Sequence, residues 1–282
     1  MLRTHRARTV RRTVASWKRR GRRVAFVPTM GGIHAGHLSL VSRARRHADR
    51  VVASVFVNPL QFGPREDFRR YPRPVRRDRS LLRGAGVDLL WEPRAGELYP
   101  PGYRTRVQVA GLGDVLEGRS RPGHMTGVAT VVLKLLEVVA PDTLWLGQKD
   151  AQQARLIEQM VRDLDLEVAV RRGPTLRERD GLACSSRNAY LAGEERRQAV
   201  ALITGLRAAR ARLGAGERSA ARLKAAVRRV WRAFPLVRED YVAVVDADRL
   251  EPVARVKGRV LVAVAARVGR ARLIDNFEWS AG

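Results

Sequence analysis

The sequence predicts an α/β protein in which a Rossmann-like, doubly wound parallel sheet is followed by a smaller α+β domain. Three observations favour this fold. Short apolar runs alternate with helical patterns in the first half, and the run at 51–57 is almost wholly apolar, as expected of a strand buried on both faces. The second half instead contains long helical patterns followed by short strands. We therefore expect one domain at 1–173 and a second at 174–282.

The elements predicted in the first half follow from the spacing of apolar residues. Residues 24–27 form a short apolar strand, and Leu40, Val41 and Ala44 share one face of a helix predicted at 37–48. Strand, helix and strand in this order form right-handed βαβ units with parallel strands. The same criteria predict strands at 51–57, 87–91, 143–146 and 167–170, helices at 127–139 and 152–163, and the inner end of another helix at 80–83.

The elements predicted beyond the boundary are long helices and short strands. Helical patterns rich in arginine and alanine occupy 194–213 and 219–234, and the turn Gly214-Ala215-Gly216 separates them. Apolar runs predict strands at 241–245, 259–265 and 270–274. This order differs from the alternation of the first half, which is why we expect a separate α+β domain.

Composition restricts the partners of this chain. The net charge is +27, from 55 basic and 28 acidic residues, and nucleic acid is the obvious partner for so basic a protein. However, the basic residues are nearly all arginine and are spread along the chain, which indicates compositional bias, so we expect no specific nucleic-acid partner. Without an apolar run of about 18 residues, we expect no membrane span. The single cysteine excludes an internal disulfide framework, and we expect a cytoplasmic protein.

A glycine-rich turn with two histidines follows the first predicted strand and opens the next helix, in the segment Pro28-Thr29-Met30-Gly31-Gly32-Ile33-His34-Ala35-Gly36-His37. Backbone amides at a helix N-terminus favour phosphate oxygens, and glycines let the backbone approach a ligand closely. The imidazoles of His34 and His37 can donate hydrogen bonds to a phosphate as charge builds in a transition state. The alternative is two ordinary histidines at the start of a helix.

Three further segments carry polar side chains at the ends of predicted elements. In segment 147–150, Lys149 could reach phosphates and Asp150 a ribose or a metal, although a surface turn would have the same sequence. Segment 184–187 combines two hydroxyls with a guanidinium and could form a phosphate clamp or, equally, a helix cap. Segment 57–62 places amide groups after the second strand, where they suit a small substrate or a polar turn.

Together these segments resemble the pantothenate synthetase family, in order and at the right spacing over essentially the whole chain. The family patterns PTMGxLHxGHLxLV, FVNPxQF and YPR are matched at 28–41, 56–62 and 71–73, with Ile33 in place of leucine. Four more patterns, LEGxxRPGHxxGV, GxKDxQQ, DGLAxSSRNxYL and ARLIDN, are matched at 116–128, 147–153, 180–191 and 271–276. Chance agreement on this scale is negligible.

The resemblance implies an ATP-dependent ligase of the HxGH nucleotidyltransferase superfamily, which makes pantothenate on the route to coenzyme A. In this family the carboxylate of pantoate attacks the α-phosphate of ATP, giving pantoyl adenylate and pyrophosphate. The amine of β-alanine then attacks the acyl carbon, forms the C–N bond and releases AMP. The resemblance also implies Mg2+ with ATP, a homodimer, a nucleotide- and pantoate-binding domain at 1–173 and a lid domain at 174–282.

The resemblance assigns most of the predicted site to ATP. His34, His37 and Lys149 would be catalytic, and we expect His37 to stabilise charge on the leaving pyrophosphate rather than to act mainly as the family's proton donor. The residues that would bind ATP are Met30, Gly31, Gly32, Ile33, His34, Ala35, Gly36, His37, Gly147, Gln148, Lys149, Asp150, Leu176, Cys184, Ser185, Ser186 and Arg187.

The remaining implied residues bind the other substrates and the metal. Pantoate would be bound by Gln61 and Gln153 and supported by Asn58, and β-alanine would bind Gln61. The metal would be bound by Asp78 alone, because Arg77 replaces the first of two acidic residues that often follow YPR. Metal binding would then depend more on the phosphates of ATP.

Three further positions depart from the family pattern. Gln148 replaces the glutamate of GEKD and keeps a hydrogen-bonding group of similar size. The change to Gln148 removes a charge. Cys184 replaces the methionine of MSSR, where the backbone can do the same work, so we expect little loss from that change. Ala151 replaces a common aromatic residue, which we expect to loosen the wall of the pocket.

Two other functions remain open from the sequence. An enzyme similar to class I aminoacyl-tRNA synthetases would share HxGH and carboxylate adenylation, but the chain after Arg187 is short for a sizeable anticodon-binding domain. A nucleic-acid-binding protein on a degenerate enzyme fold would use the +27 charge. Exchange of pyrophosphate into ATP, tested with pantoate and with amino acids, tests the first alternative. Clustering of the arginines on one face would favour the second, whereas scattered arginines would indicate compositional bias.

Overall fold

A computed structural model of the chain describes residues 1–64 and 66–280. The chain forms two compact units. The first comprises Met1–Gln148 and Gln153–Thr175, and the second comprises Lys149–Gln152 and Leu176–Gly282. The predicted fold class is confirmed, because one unit contains a parallel sheet with helices and the other a small antiparallel sheet. The predicted limits and roles of the two domains stay predictions.

The sheet of the first unit has six strands, which are β1 (Leu2–Thr4), β2 (Val24–Thr29), β3 (Arg50–Val55), β4 (Leu89–Trp91), β5 (Thr143–Gly147) and β6 (Ala169–Gly173). They pair in parallel in the order β1-β4-β3-β2-β5-β6. The central strands β2 and β3 are almost entirely buried, as their apolar sequences predict. Strand β1 was not predicted, because its short and largely exposed sequence shows no apolar pattern.

The helices that accompany this sheet are α1 (Ala7–Arg19), α2 (Ala35–His47), α3 (Val75–Gly84), α4 (Ala95–Leu98), α5 (Glu117–Ser120), α6 (His124–Val139) and α7 (Ala151–Asp163). The predicted inner face of α2 is confirmed, since Leu40, Val41 and Ala44 pack in one cluster with Val27 and Ala53 of the sheet. No helix within the described ranges is both long and apolar enough to span a bilayer.

The second unit contains the antiparallel strands β7 (Val237–Asp246), β8 (Arg259–Val268) and β9 (Ala271–Ser280), and the helices α8 (Gly193–Gln198), α9 (Ala201–Gly214) and α10 (Ala220–Trp231). Leu206 and Val227 of the helices share a core with Val262 of the sheet. The prediction of one helix at 194–213 is wrong, because α8 ends at Gln198. The Gln198 side chain there accepts the amide of Leu236, a tertiary contact that helical periodicity does not encode.

The parallel order brings the ends of β2 and β3 to one edge of the sheet. Strand β2 ends at Thr29, just before the glycine-histidine turn, and β3 ends at Val55, just before the segment 57–62. The Thr29 hydroxyl donates to the Ser54 carbonyl at 2.8 Å and ties the two strand ends together. The first unit therefore collects two of the predicted site segments at the carboxyl edge, where open parallel sheets bind ligands.

Gly127 allows α6 to approach the turn that follows β3. A Cβ atom at this position would lie 2.5 Å from the carbonyl carbon of Leu60 and 2.7 Å from the Gln61 nitrogen. Non-bonded atoms do not come this close, so any larger residue would displace the turn. The Gly127 carbonyl also accepts a hydrogen bond from Asn58 Nδ2 at 3.0 Å.

We expect Gly127→Ala to lower the free energy of unfolding by about 2 kcal/mol, because the added methyl group overpacks backbone against backbone. The matched control is Gly84→Ala in α3, where a Cβ meets nothing within 4 Å. That change should be neutral or slightly stabilising, because alanine favours helix more than glycine does. Urea titrations followed by tryptophan fluorescence measure both effects, and equal stability of the two variants would contradict the close approach.

Candidate functional site

The turn between β2 and α2 is built around His34, the N-cap residue of α2. Its Nδ1 accepts the amide hydrogen of Gly36 at 3.1 Å, and Nδ1 of His37 accepts the amide hydrogen of His34 at 3.4 Å. These reciprocal bonds form a capping box made from two imidazoles, whose ring centroids lie 4.0 Å apart. Both the functional hypothesis and its alternative placed these histidines at the start of a helix, and that placement is confirmed.

The capping bonds determine where each imidazole carries its proton. A backbone N–H group can only donate, so Nδ1 of His34 and Nδ1 of His37 are both unprotonated acceptors. Each ring is then neutral and carries its hydrogen on Nε2. Protonation of either Nδ1 would remove a capping bond. The turn therefore holds two neighbouring neutral donors, an arrangement that suits phosphate oxygens.

A buried carboxylate anchors the same turn. Asp78 of α3 accepts the amide of Gly32 on Oδ2 at 2.9 Å and the amide of Ile33 on Oδ1 at 2.8 Å. Each oxygen of the buried carboxylate accepts one backbone N–H group, so Asp78 holds the backbone of the turn, and its metal role stays a prediction. In the part of the chain that the structure describes, no group of three or more His, Cys, Asp or Glu side chains could hold a metal ion.

Most backbone amides of the turn are used within the protein. The Gly31 amide donates to the Thr29 hydroxyl at 3.2 Å. Side chains also accept from the amides of Gly32, Ile33, His34 and Gly36. The expectation that amides of this helix start bind phosphate does not hold for these groups, because side-chain acceptors already occupy them. The assignment of the residues themselves to ATP stays a prediction.

Asn58 uses both ends of its side-chain amide inside the protein. Its Oδ1 accepts the Leu60 amide at 3.2 Å and the Tyr99 hydroxyl at 2.8 Å. Its Nδ2 donates to Gln61 Oε1 and to the Gly127 carbonyl, at 3.0 Å in each case. A buried amide with this many partners positions its neighbours, and the expected support of a pantoate pocket by Asn58 stays a prediction.

Gln61 is held through both its side chain and its backbone. Its Nε2 donates to Met30 Sδ at 2.8 Å, and its carbonyl accepts from His124 Nδ1 at 2.7 Å and Arg121 Nη2 at 3.3 Å. Arg121 also donates to His124 Nε2 at 2.9 Å and pairs with Glu66 at 2.5 Å. No role was predicted for Arg121 or His124, although the family motif that contains them could have identified both.

Burial keeps His124 in its neutral form. Burial and the neighbouring charge of Arg121 lower the pKa of His124 to about 4. The neutral ring donates from Nδ1 to the Gln61 carbonyl and accepts at Nε2 from Arg121. Burial alone would raise the pKa of Glu66, but its hydrogen bonds to Arg121 and the Arg121 charge outweigh burial and lower it. Arg121 therefore remains paired with a carboxylate while it orients His124.

The first unit also contains the predicted residues at the end of β5. Gln148 Oε1 accepts a hydrogen bond from Arg172 Nη1 at 3.5 Å, and Arg172 pairs with Glu158. The glutamine thus keeps part of the hydrogen-bonding capacity of the family's usual glutamate. Gln153 is half-buried on α7, and its side chain makes no hydrogen bond within residues 1–64 and 66–280.

In the second unit, Lys149 and Asp150 lie side by side, with Nζ 3.4 Å from Oδ1. The Lys149 side chain is only 19% exposed, which limits the directions in which its ammonium can point. Asn276 donates from Nδ2 to the Lys149 carbonyl at 2.8 Å and so fixes the backbone beneath the lysine. No role was predicted for Asn276, although it belongs to the matched ARLIDN motif.

The loop between β6 and α8 is held by ion pairs of the second unit. Arg177 makes a bidentate pair with Asp275, at 2.6 Å and 3.0 Å. Arg196 bridges Glu178 at 2.6 Å and Asp180 at 2.5 Å, and its hydrogen bond lowers the pKa of Asp180. These pairs connect the loop to β9 and to α8.

The predicted clamp residues lie at the end of this loop. The Cys184 amide donates to the Leu176 carbonyl at 2.9 Å, and the Cys184 thiol is buried and not in a disulfide. Ser185 is the N-cap of the short helix Ser186–Tyr190, where its hydroxyl accepts the Arg187 amide at 3.2 Å. The helix-cap alternative is therefore confirmed for Ser185, and phosphate binding by this segment stays a prediction.

Comparison with known proteins gives one consistent family. The family model described as pantoate-beta-alanine ligase matches residues 3–278. The pantothenate synthetase of Moorella thermoacetica is 53% identical over 267 residues, which cover 95% of this chain and 94% of that protein. The pantothenate synthetase of Heliobacterium modesticaldum is 50% identical over 270 residues, covering 94% of this chain and 96% of the relative.

Solved structures agree with this result. The crystal structure of pantothenate synthetase from Thermus thermophilus matches with a TM-score of 0.94 and 48% identity, covering 98% of this chain and 99% of that one. The pantoate-beta-alanine ligase of Francisella tularensis, described as complexed with beta-gamma ATP and β-alanine, matches with a TM-score of 0.81 and 32% identity. That match covers 98% of this chain and 97% of the other.

We expect protonation of His124 to destabilise the fold as the pH falls from about 6.5 to about 4. The folded pKa is lowered to about 4 from 6.5, so the unfolded chain binds the additional proton in this window. The stability due to neutral His124 is complete above pH 6.5 and decreases by about 3 kcal/mol towards pH 4.

Urea unfolding at pH 7.5 and pH 4.5 measures this effect. His124→Asn keeps a donor for the Gln61 carbonyl but cannot be protonated, so its stability should fall less steeply with pH than that of the wild type. The control is His47→Asn, because His47 is exposed. That variant should follow the wild-type slope. An unchanged slope in His124→Asn would contradict the buried neutral histidine.

Proposed function

The chain belongs to the pantoate-beta-alanine ligase family, and from this premise we propose how its residues carry out the reaction. The enzyme is an ATP-dependent ligase that joins pantoate to β-alanine. The pantoate carboxylate attacks the α-phosphorus of ATP, the bond to pyrophosphate breaks, and pantoyl adenylate forms. The β-alanine amine then attacks the acyl carbon, loses a proton and displaces AMP, which leaves pantothenate.

The observation that carries the proposed mechanism is the capping box of His34 and His37. It keeps each imidazole neutral with Nε2 as the donor, and the ring centroids lie 4.0 Å apart. The Nε2–H groups donate to phosphate oxygens of ATP and stabilise the charge that pyrophosphate gains as it leaves. Because backbone bonds orient the rings before ATP binds, little reorganisation is needed in the transition state. The histidines thus act electrostatically, with no proton transfer required.

Pantoate and β-alanine bind at Gln61 in this proposal. Asn58 occupies the Oε1 side of the Gln61 amide at 3.0 Å, so Nε2 is the end that donates to a substrate oxygen. Met30 Sδ is a weak acceptor for that group, and a substrate carboxylate or hydroxyl is a better one. Gln153, whose amide makes no hydrogen bond to the described residues, is the second group for pantoate.

The family motifs assign further residues to ATP in this proposal. Lys149 binds phosphate oxygens, and Asp150 binds the ribose. The nucleotide also contacts the loop residues Leu176, Cys184, Ser185, Ser186 and Arg187. These assignments follow the family motifs, and the Asn276 bond to the Lys149 carbonyl supports a fixed position for that lysine.

Magnesium enters, in this proposal, as part of the substrate MgATP. Asp78 is not needed as its ligand, because its buried carboxylate already accepts two backbone amides. Magnesium usually keeps several waters and binds nucleotide phosphates, so it does not need a cage of protein carboxylates. The ion would neutralise charge on the phosphates, while the side chains named above orient ATP.

We also propose that the enzyme is a cytoplasmic homodimer on the route to coenzyme A and has no specific nucleic-acid partner. Arginines are used in ion pairs within each unit, such as Arg79 with Glu92 at 2.9 Å and Arg196 with Glu178 at 2.6 Å. This use supports a structural role for some of the arginines.

Exchange of labelled pyrophosphate into ATP tests the proposed function. Exchange should require pantoate and Mg2+, and addition of β-alanine should yield pantothenate and AMP in equal amounts. The same assay with the standard amino acids in place of pantoate should show no exchange. Exchange with an amino acid and none with pantoate would overturn the proposal in favour of an enzyme similar to the aminoacyl-tRNA synthetases.

We expect Lys149→Ala to lower the rate of pantoate-dependent exchange by about 100-fold or more, because removal of one charge-stabilising donor has an effect of this size. The matched control is Lys224→Ala on α10, because Lys224 belongs to the same unit and is also half-buried. The control should keep the wild-type rate, and circular dichroism should show both variants folded. A wild-type rate in Lys149→Ala would contradict the assignment.

A further inference from the structure

Asp78 is a buried carboxylate for which the proposed reaction has no direct use. Its exposure is 2%, and among the described residues no cation forms an ion pair with it. A buried anion without a cation is unfavourable unless hydrogen bonds compensate its lost hydration. Here two charge-assisted bonds from the amides of Gly32 and Ile33 do so, together with its place in the first turn of α3.

The glycine turn bound by Asp78 has little conformational preference of its own. Gly31 and Gly32 have φ of +87° and +63°, and consecutive glycines of this kind have many alternative conformations. A Cβ at Gly31 would lie 3.1 Å from Asp78 Oδ2, so the glycine also makes room for the carboxylate. The two bonds from Asp78 therefore select one conformation of this turn.

A short stretch of backbone connects the Asp78 hydrogen bonds to the imidazoles of His34 and His37. Ile33, whose amide donates to Asp78 at 2.8 Å, is bonded directly to His34, the N-cap of α2. The amide of His34 in turn donates to Nδ1 of His37 at 3.4 Å. A shift of the backbone at Ile33 would therefore disturb both capping bonds and the direction of both Nε2–H groups.

We propose that Asp78 is a positioning residue for the adenylation step, acting through the Gly32 and Ile33 amides on His34 and His37. This inference rests on the proposed function. It assigns to Asp78 a role different from the predicted metal binding, because both of its oxygens accept backbone amides. A misplacement of about 1 Å far from the reacting atoms can cost about 100-fold in rate, so the effect on catalysis should be large.

The first test is the steady-state kinetics of pantoate-dependent pyrophosphate exchange in Asp78→Asn. The variant keeps the shape of the side chain, but an NH2 group replaces one carboxylate oxygen. A donor then faces a backbone N–H group, and that hydrogen bond is lost. We expect kcat to fall by about 100-fold, with the KM for pantoate little changed, since Gln61 is held by other residues. If Asp78→Asn does not fold, Asp78→Ser, with a single small acceptor, is measured in its place.

The matched control is Asp88→Asn. Asp88 also accepts a backbone amide, from Val51 at 2.8 Å, and also belongs to the first unit, but it lies at the start of the strands. It should lose stability with kcat unchanged. An equal loss of kcat in both variants, or a wild-type kcat in the folded Asp78 variant, would overturn the inference.

A magnesium titration separates positioning from metal binding. If Asp78 bound the metal, high MgCl2 would restore the rate of Asp78→Asn, and the inference would be wrong. If Asp78 positions the turn, the rate stays low at saturating MgCl2. Absence of pantoate-dependent exchange in the wild type would instead refute the proposed function, so the two failures are distinguishable.

The tautomers of His34 and His37 give a readout that general loss of stability does not change. With 15N-labelled histidine, NMR of the wild type at pH 8 should show both rings protonated on Nε2 and unprotonated on Nδ1. Asp78→Asn should give a mixture of tautomers for at least one ring, whereas Asp88→Asn should give the wild-type spectrum. Unchanged tautomers in Asp78→Asn, with signals assigned by single histidine replacements, would contradict the positioning role.

Discussion

The hydrogen bonds that hold Gly31 and Gly32 govern the rest of the first unit's site. Two consecutive residues with positive φ are available almost only to glycine, and they leave the backbone with little stiffness of its own. Thr29 and Asp78 supply that stiffness by accepting the amides that follow β2. Helix α2 begins directly after this turn, so the backbone of the turn sets the orientation of the His34 side chain.

The same principle applies to the neighbouring groups that we propose for substrate binding. Gln61 is oriented by Asn58 on its side chain and by His124 and Arg121 on its carbonyl. A buried donor or acceptor left without its partner costs about 1–3 kcal/mol, so these networks resist distortion. Residues that need not touch a substrate thereby determine which donors face it. The proposed site is thus held in place by the protein's own hydrogen bonds, as electrostatic catalysis requires.

Features set by local sequence patterns were predicted, whereas features set by contacts between distant segments were not. The face of α2 and the buried strands β2 and β3 were predicted because apolar spacing is a local property of the chain. Strand β1 was missed because only its pairing with β4 makes it a strand. The helix predicted at 194–213 was wrong, because its division depends on contacts outside the segment. The backbone partners of Asp78 were not predicted for the same reason, since they lie more than forty residues earlier.

The sequence by itself determined the fold class and the family, and it supplied the residues that we propose for the site. Apolar periodicity and ordered motifs are properties of the sequence, so they can be recognised without knowledge of the tertiary structure. Only the tertiary structure decided which atoms of those residues form hydrogen bonds within the protein. It assigned Nδ1 of His34 and His37 to backbone amides, committed Asp78 to the turn, and placed neutral His124 behind Gln61. Hydrogen-bond partners are chosen by proximity in space, and proximity between distant segments exists only once the sheet has formed.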